Sequence, residues 1–231
     1  MKPEISIIIP ALNEEASLRE TLDALQIFPK TEIILVDGGS TDATVSIAAN
    51  YDVKIRPAPR RGRGSQLQFG ASLAEGDILW FVHADTIVSA EAVELIKKAL
   101  ENPRVAGGNF TIRFDGARRA ARFLTWLYPN LRKLGLIYGD SAIFARRDIY
   151  EKIGGFEPFP IFEDLDLVER LKREGELVTL PAVVTTSSRR FENKSFTLTF
   201  LRWTLLQVLY WLGVSPSNLL KIYFPAAKKR N

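Results

Sequence analysis

The sequence contains no cysteine and a single histidine, His83. Disulfides, thiolate metal sites and histidine-rich zinc sites are therefore excluded, and any bound metal must lean on carboxylates. Two phosphate-cradling signatures are missing as well. No G-x-G-x-x-G follows the first apolar strand, where Pro10-Ala11-Leu12-Asn13 stands instead, and there is no G-x-x-x-x-G-K-[ST]. Dinucleotide dehydrogenases and P-loop NTPases are thus poor matches. The longest apolar stretch, Phe196–Leu212, has 17 residues and carries Arg202 near its middle. That length only touches the lower limit for a membrane span, and the arginine makes spanning costly. Met1-Lys2-Pro3-Glu4 leads straight into a strand without the apolar core of a signal peptide, so cytoplasmic residence is expected.

What is present is ordinary globular composition: 231 residues, 46% apolar and 25% charged. The length fits one domain, or one domain with an appendage. A net charge of +4 and a pI of about 9.3 suit an anionic ligand or a membrane surface as well as nucleic acid. Aromatic residues do not interleave the arginines at 60–63 as stacking platforms would require, so no nucleic-acid partner is expected.

The first half alternates short apolar strands with helical patterns. Strands are expected at Ile5–Ile9 (stopped by Pro10), Ile33–Val36, Val53–Arg56 and in the run Ile78–Val82. Asn13 is placed to cap a helix running to about Ile27, and Ser40 or Thr41 one running to about Asn50. A third helix should follow the basic loop, from Ser65 to about Glu75. The pattern is that of a doubly wound, mostly parallel sheet with helices on both faces. Helices are further expected over 89–101, 117–134 and up to about Glu174, with strands at 105–114, 177–180 and 183–186. Phe196–Leu212 reads as an amphipathic helix packed on the domain, or as one in contact with a membrane surface.

Chemistry-bearing residues gather where loops follow strands. Ile78–Val82 is short, apolar and followed by His83-Ala84-Asp85. In open α/β sheets, ligands bind beyond the carboxyl ends of the strands. Asp37 and Asp85 would both lie there, and Glu163-Asp164-Asp166 opens a later helix. Asp37 is suited to accept hydrogen bonds from a pyrimidine imide or a ribose. Asp85 suits Mg²⁺ or Mn²⁺, which take one or two carboxylates plus substrate phosphates. Glu163 or Asp164 suits a general base, and Arg60, Arg61 and Arg63 suit a diphosphate. Plainer readings stand beside these. Asp85 also fits as a helix cap, Asp42 and Glu14 as first-turn helix charges, Asp166 and Glu169 as a solvated face, and His83 as a buried structural residue.

Four ordered segments sharpen the choice: Ile5-Ser6-Ile7-Ile8-Ile9-Pro10-Ala11-Leu12-Asn13-Glu14-Glu15, Val36-Asp37-Gly38-Gly39-Ser40-Thr41-Asp42, His83-Ala84-Asp85 and Glu163-Asp164. Together they resemble the family 2 glycosyltransferases of GT-A fold, over roughly residues 4–190. The resemblance implies that Pro10, Asn13 and Glu14 line a nucleotide pocket, that Asp37 binds the base and that Ser40 belongs to the turn behind it. It implies that Asp85 holds a divalent cation, Mn²⁺ or Mg²⁺, with His83 standing where such enzymes usually carry another aspartate. Asp164, with Glu163 beside it, would supply the base, and Arg189 and Arg190 would contact the diphosphate. Gly139-Asp140-Ser141-Ala142-Ile143-Phe144 and Ser188-Arg189-Arg190-Phe191 further resemble a bacterial subgroup associated with radical-SAM or selenium-domain proteins and, in part, arsenosugar synthesis.

The expectation is an inverting transferase moving a sugar from a UDP-sugar to an acceptor hydroxyl. Residues 1–190 would form the catalytic domain, and 191–231 a helical appendage that touches a membrane or a second copy. The rivals are a nucleotidyltransferase and a non-catalytic nucleotide-sugar-binding protein.

Overall fold

The computed structural model describes residues 2–115, 122–123, 125–127, 137–187 and 196–223. Eight strands form one sheet in the order β3-β2-β1-β4-β7-β6-β8-β5. These are β1 (Ile5–Ala11), β2 (Thr31–Asp37), β3 (Lys54–Pro57), β4 (Ile78–Phe81), β5 (Thr86–Ile87), β6 (Val105–Phe114), β7 (Phe144–Arg146) and β8 (Glu176–Thr186). The first four positions of the sheet are parallel, as the alternation of strand and helix requires. The second half is mixed: β7 runs antiparallel to both β4 and β6, β8 is parallel to β6, and β5 closes the edge antiparallel to β8.

Helices cover both faces. Residues of β1 alternate, with Ile5, Ile7 and Ile9 packing on Leu18, Leu22 and Leu25 of α1 (Leu18–Leu25) and on the apolar side of α4 (Ala92–Leu100). Ile8 points the other way. It meets α3 (Arg63–Ser72) on a face completed by α5 (Arg147–Lys152) and α6 (Glu163–Glu174). Trp80 is fully buried on the first face, 5.9 Å from the ring of Phe28 and 5.6 Å from that of Phe110, and its indole N–H donates to the Ala142 carbonyl at 3.2 Å.

Several elements differ from the sequence expectation, each for a local reason. Strand β1 does not stop at Pro10 but runs to Ala11, with Pro10 opposite Val36 of β2. The missing N–H of Pro10 faces the β4 side, where pairing has already ended at Ile8 and Phe81. Asn13 does not cap α1. It adopts φ 56° and its side chain is committed elsewhere, so the helix begins only at Leu18. Between β2 and β3, α2 is reduced to Thr44–Ala48. The two strands expected at 177–180 and 183–186 are one, β8, which carries Pro181 through a register shift between Phe110 and Thr111 of β6. The bulge leaves Pro181 without a ladder partner, which a residue lacking a donor tolerates. The helix expected over 117–134 falls largely outside the described residues.

At the C-terminal end, α7 (Phe196–Trp211) and α8 (Pro216–Tyr223) pack back on the domain. Leu206 and Leu219 are fully buried in a cluster with Ile161, Phe162 and Leu165. The Phe162 ring lies 5.1 Å from Tyr210 and 6.0 Å from Trp203.

Candidate functional site

Because β1, β2, β3 and β4 are parallel, the loops after them leave from one edge. Gln66 of α3 fastens that edge: its Nε2 donates to the Ala11 carbonyl at 2.9 Å and the Val36 carbonyl at 2.8 Å. Pro10 lies in the strand directly beneath. Beyond it, the loops carrying Asn13 and Asp37 are laced together. The Gly39 and Ser40 amides donate to the Asp37 carboxylate at 3.1 Å, and the Asn13 amide donates to Ser40 Oγ at 2.9 Å. Asn13 Oδ1 accepts from the Thr41 amide at 2.8 Å, and the Glu14 amide donates to Thr44 Oγ1 at 2.7 Å. Asn13, Glu14, Asp37 and Ser40, separated in sequence, thus form one rigid wall. The Glu14 side chain accepts from Ser17 Oγ at 3.2 Å.

A second group forms where the segment after β4 meets the start of α6. A methyl group on Gly139 would sit 3.1 Å from His83 Nε2 and 3.2 Å from Asp164 Oδ2, so these two side chains face each other across this glycine. The Gly139 amide donates to Asp164 Oδ2 at 2.6 Å and the Leu165 amide to Asp164 Oδ1 at 2.9 Å. His83 Nδ1 lies 3.2 Å from Asp140 Oδ1. Arg63, the first residue of α3, pairs through Nε with the buried Glu163 carboxylate, and its Nη2 lies 3.7 Å from Asp164 Oδ2. Asp85, two residues after His83, is half-buried, in a segment fastened by Thr21 Oγ1 donating to the Ala84 carbonyl at 2.9 Å.

The electrostatics follow from this crowding. Burial pushes the Asp164 carboxyl above the ordinary carboxylate range, and the charges of Glu163 and Asp140 push the same way. Arg63 and the Gly139 amide pull against them. Burial works against the charge on Arg63, but Glu163, Asp164 and Asp140 more than offset it and raise its pKa. The Tyr138 hydroxyl, which lies 3.2 Å from Gln207 Oε1, is pushed up to about 12 by burial and by Asp164 and Asp140.

Backbone strain concentrates here too. Among the described residues four non-glycines have positive φ, and three flank the site: Asn13, Ala142 (φ 52°) just after the Gly139–Ser141 turn, and Phe162 (φ 62°) just before Glu163. Such conformations persist where surrounding contacts over-determine them, and they cluster at functional sites.

The structure therefore brings together Glu163, Asp164, His83 and Arg63 in one group, and Asn13, Glu14, Asp37 and Ser40 in another on the same edge. Arg60 and Arg61 are exposed in the loop after β3. Arg189 and Arg190 lie outside the described residues. Sequence reasoning gave no role to Asp140, Gln66 or Tyr138, and it placed Arg63 only as a diphosphate contact. Their partners lie tens of residues away, so spacing could not reveal them. The one signal was Gly139-Asp140, where a glycine admits close approach.

The sequence profile of glycosyl transferase family 2 matches residues 6–153. This chain belongs to that family. Among family relatives, the probable glycosyltransferase YdaM of Bacillus subtilis is 30% identical over 79% of this chain and 50% of its own length. Glycosyltransferase AglE of Haloferax volcanii is 28% identical over 68% of this chain and 56% of its own length. The chain spans about half the length of these curated relatives. Among solved structures, the mannosyltransferase PcManGT from Pyrobaculum calidifontis, in complex with GDP-Man and Mn²⁺, superposes with a TM-score of 0.67 at 22% identity, covering 90% of this chain and 62% of that one. Staphylococcus aureus TarS 1–349 in complex with UDP-GlcNAc gives 0.65 at 18% identity, covering 84% and 60%. These likenesses establish the α/β GT-A-like fold.

The residues that the resemblance assigns to a divalent cation, His83 and Asp85, offer it few donors. Among the described residues no three His, Asp or Glu side chains gather into a preformed cage. His83 has one ring nitrogen turned to Asp140, and Asp85 supplies a single carboxylate. Such a set suits a hard cation that takes most of its ligands from substrate phosphates and water.

Proposed function

We propose that this chain transfers a sugar from a nucleotide-sugar, a UDP-sugar in the first instance, to an acceptor hydroxyl with inversion at the anomeric carbon. The observation that carries the reading is Asp164: a buried carboxylate aimed by two backbone amides, with its proton affinity raised, facing His83 at the end of the central strand. A general base works best when its pKa is lifted toward the working pH. Asp164 takes the proton of the acceptor hydroxyl, whose oxygen attacks the anomeric carbon as the bond to the nucleoside diphosphate breaks. Arg63 pairs with Glu163 beside Asp164, so that the base is held in place. Asp37, with its carboxylate fixed by the Gly39 and Ser40 amides, receives the base of the nucleotide, and Pro10, Asn13, Glu14 and Ser40 shape the pocket around it. Arg60, Arg189 and Arg190 are assigned to the diphosphate. Asp85, assisted by His83, would hold Mn²⁺ or Mg²⁺; such an ion supplies Lewis-acid stabilisation of the departing diphosphate.

The neighbours that bind UDP-GlcNAc or GDP-Man with Mn²⁺ support this donor class and this cofactor. Residues 1–190 are assigned as the catalytic domain and 191–231 as its helical appendage. The finer likeness to the radical-SAM-associated subgroup is part of the proposal, since Gly139 and Asp140 of its motif stand in the site.

Asp164→Asn is expected to lower the transfer rate by about 10²-fold or more while leaving nucleotide affinity nearly unchanged. Titration calorimetry with UDP and GDP, with and without Mn²⁺, supplies the binding side of this comparison. Equal loss of binding and transfer would remove Asp164 as the base. A preference for GDP would move the donor assignment and leave the chemistry standing.

A further inference from the structure

Helix α7 is apolar on two sides, and the domain covers only one. Its inner side carries the buried Leu206, clustered with Phe162 and Leu165, and the buried Gln207, which accepts from the Tyr138 hydroxyl. On its outer side, Leu198, Leu201, Leu205, Val208 and Leu212 recur at intervals of three and four residues, and all are exposed, Leu201 at 59% and Leu212 at 75%. Trp211 at the end of α7 and Ile222 of α8 extend the patch. A helix with apolar residues on both sides is normally covered on both, and a contiguous exposed patch of this kind marks a contact surface.

The charge of the chain says what covers it. Of 31 Lys and Arg, six lie after Glu192, and of 27 Asp and Glu none does. The net charge of +4 therefore divides into +6 in the last 39 residues and −2 in the rest. A second copy of the chain fits poorly on such a surface. Helix pairs with this apolar spacing are stabilised by opposite charges along the seam, and two copies of this segment present only cations to each other. Nor does the surface span a bilayer, since no helix among the described residues is long and apolar enough to cross one.

We propose that the outer face of α7 and α8 docks in the plane of an anionic lipid bilayer. The leucines and Trp211 enter the boundary between headgroups and acyl chains, while the net positive charge of the segment favours anionic lipid. The inner face of the same helix touches Phe162, the residue before Glu163 and Asp164. Docking thus holds the acidic pair beside the membrane surface, where it meets an acceptor hydroxyl carried in the bilayer. That last step rests on the glycosyl-transfer reading, whereas the docking does not.

Flotation of the full chain with phosphatidylcholine vesicles, with and without phosphatidylglycerol, tests the proposal. The protein is expected in the lipid layer only when phosphatidylglycerol is present, with retention falling as salt is added. Leu201→Glu with Leu205→Glu should reduce retention about tenfold or more, with circular dichroism and nucleotide binding unchanged. Absence from the lipid layer under every condition would overturn the proposal, and so would equal flotation of wild type and variant. A dimer seen by light scattering and abolished by the same substitutions would assign the face to a second copy instead. If the double variant fails to fold, the lipid and salt dependence of the wild type decides alone. Loss of nucleotide binding in the wild type would remove the transfer reading and leave the docking result intact.

Discussion

Asp164 and Arg63 set opposite limits on each other. Burial, Glu163 and Asp140 hold the Asp164 proton on, and Arg63 draws it off. The base acts only when ionised, so the acid limb of its pH profile should lie above the ordinary carboxylate range. The two neighbours then predict opposite displacements. Asp140→Asn removes a charge that raises the Asp164 pKa, and the limb of kcat/KM should move to lower pH. Arg63→Gln removes the charge that lowers it, and the limb should move to higher pH. Displacement of both in the same direction would detach that limb from Asp164. At this scale the sequence was legible for the placement of single residues in contiguous motifs: Asp37 closes β2, Asp85 follows β4 and Glu163 opens α6, as expected. It was not legible for Asp140, which the antiparallel pairing of β7 with β4 brings beside its partner His83. Long-range register of that kind leaves no trace in local spacing.

Among the elements, α3 does most to shape the site. Gly70 lets it approach β1 so closely that a Cβ there would stand 2.5 Å from Ile8 Cγ2 and 3.1 Å from Val36 Cγ2. Gly70→Ala is expected to lower stability by about 1–3 kcal/mol through overpacking, read from the urea midpoint. Ile8→Ala added to it should give a combined loss smaller than the sum of the two, because it removes the methyl that is struck. The same helix places Gln66 on the ends of β1 and β2 and Arg63 on the acidic pair, so displacement of α3 disturbs both halves of the site. Element type was well marked by apolar periodicity, and β6 and α6 have the expected bounds. Where bounds failed, a residue had another engagement. Asn13 accepts from the Thr41 amide of the neighbouring loop instead of from an amide of its own helix. Pro181 found a bulge that let one strand replace two.

For the whole molecule, the order of events along the chain matters less than the closure made by its last helices. Ile161, Phe162 and Leu165 are buried only in company with Leu206 and Leu219. Ending the chain at Asn193 should therefore cost at least about 3 kcal/mol, given roughly 1.5–3 kcal/mol for each fully buried Leu side chain. It should also loosen the start of α6. Reduced unfolding midpoint together with weakened transfer would be the signature, and an unchanged midpoint would make residues 191–231 a true appendage. The division of charge between that segment and the rest was open to view in the sequence. Which side of α7 faces the domain was not, because both sides are apolar.

Trp80 gives the molecule a built-in optical gauge. Its indole is sealed from water among Phe28 and Phe110, yet its one polar contact is the carbonyl of Ala142, the left-handed residue that ends the Gly139–Ser141 turn. Trp211, by contrast, is 56% exposed on the outer face of α7. Fluorescence from one indole therefore reports on the turn whose Gly139 amide holds Asp164. Fluorescence from the other reports on whatever covers the outer face of α7, so with Trp126 and Trp203 replaced by Phe the two surfaces can be watched separately by colour and quenching in one unlabelled sample.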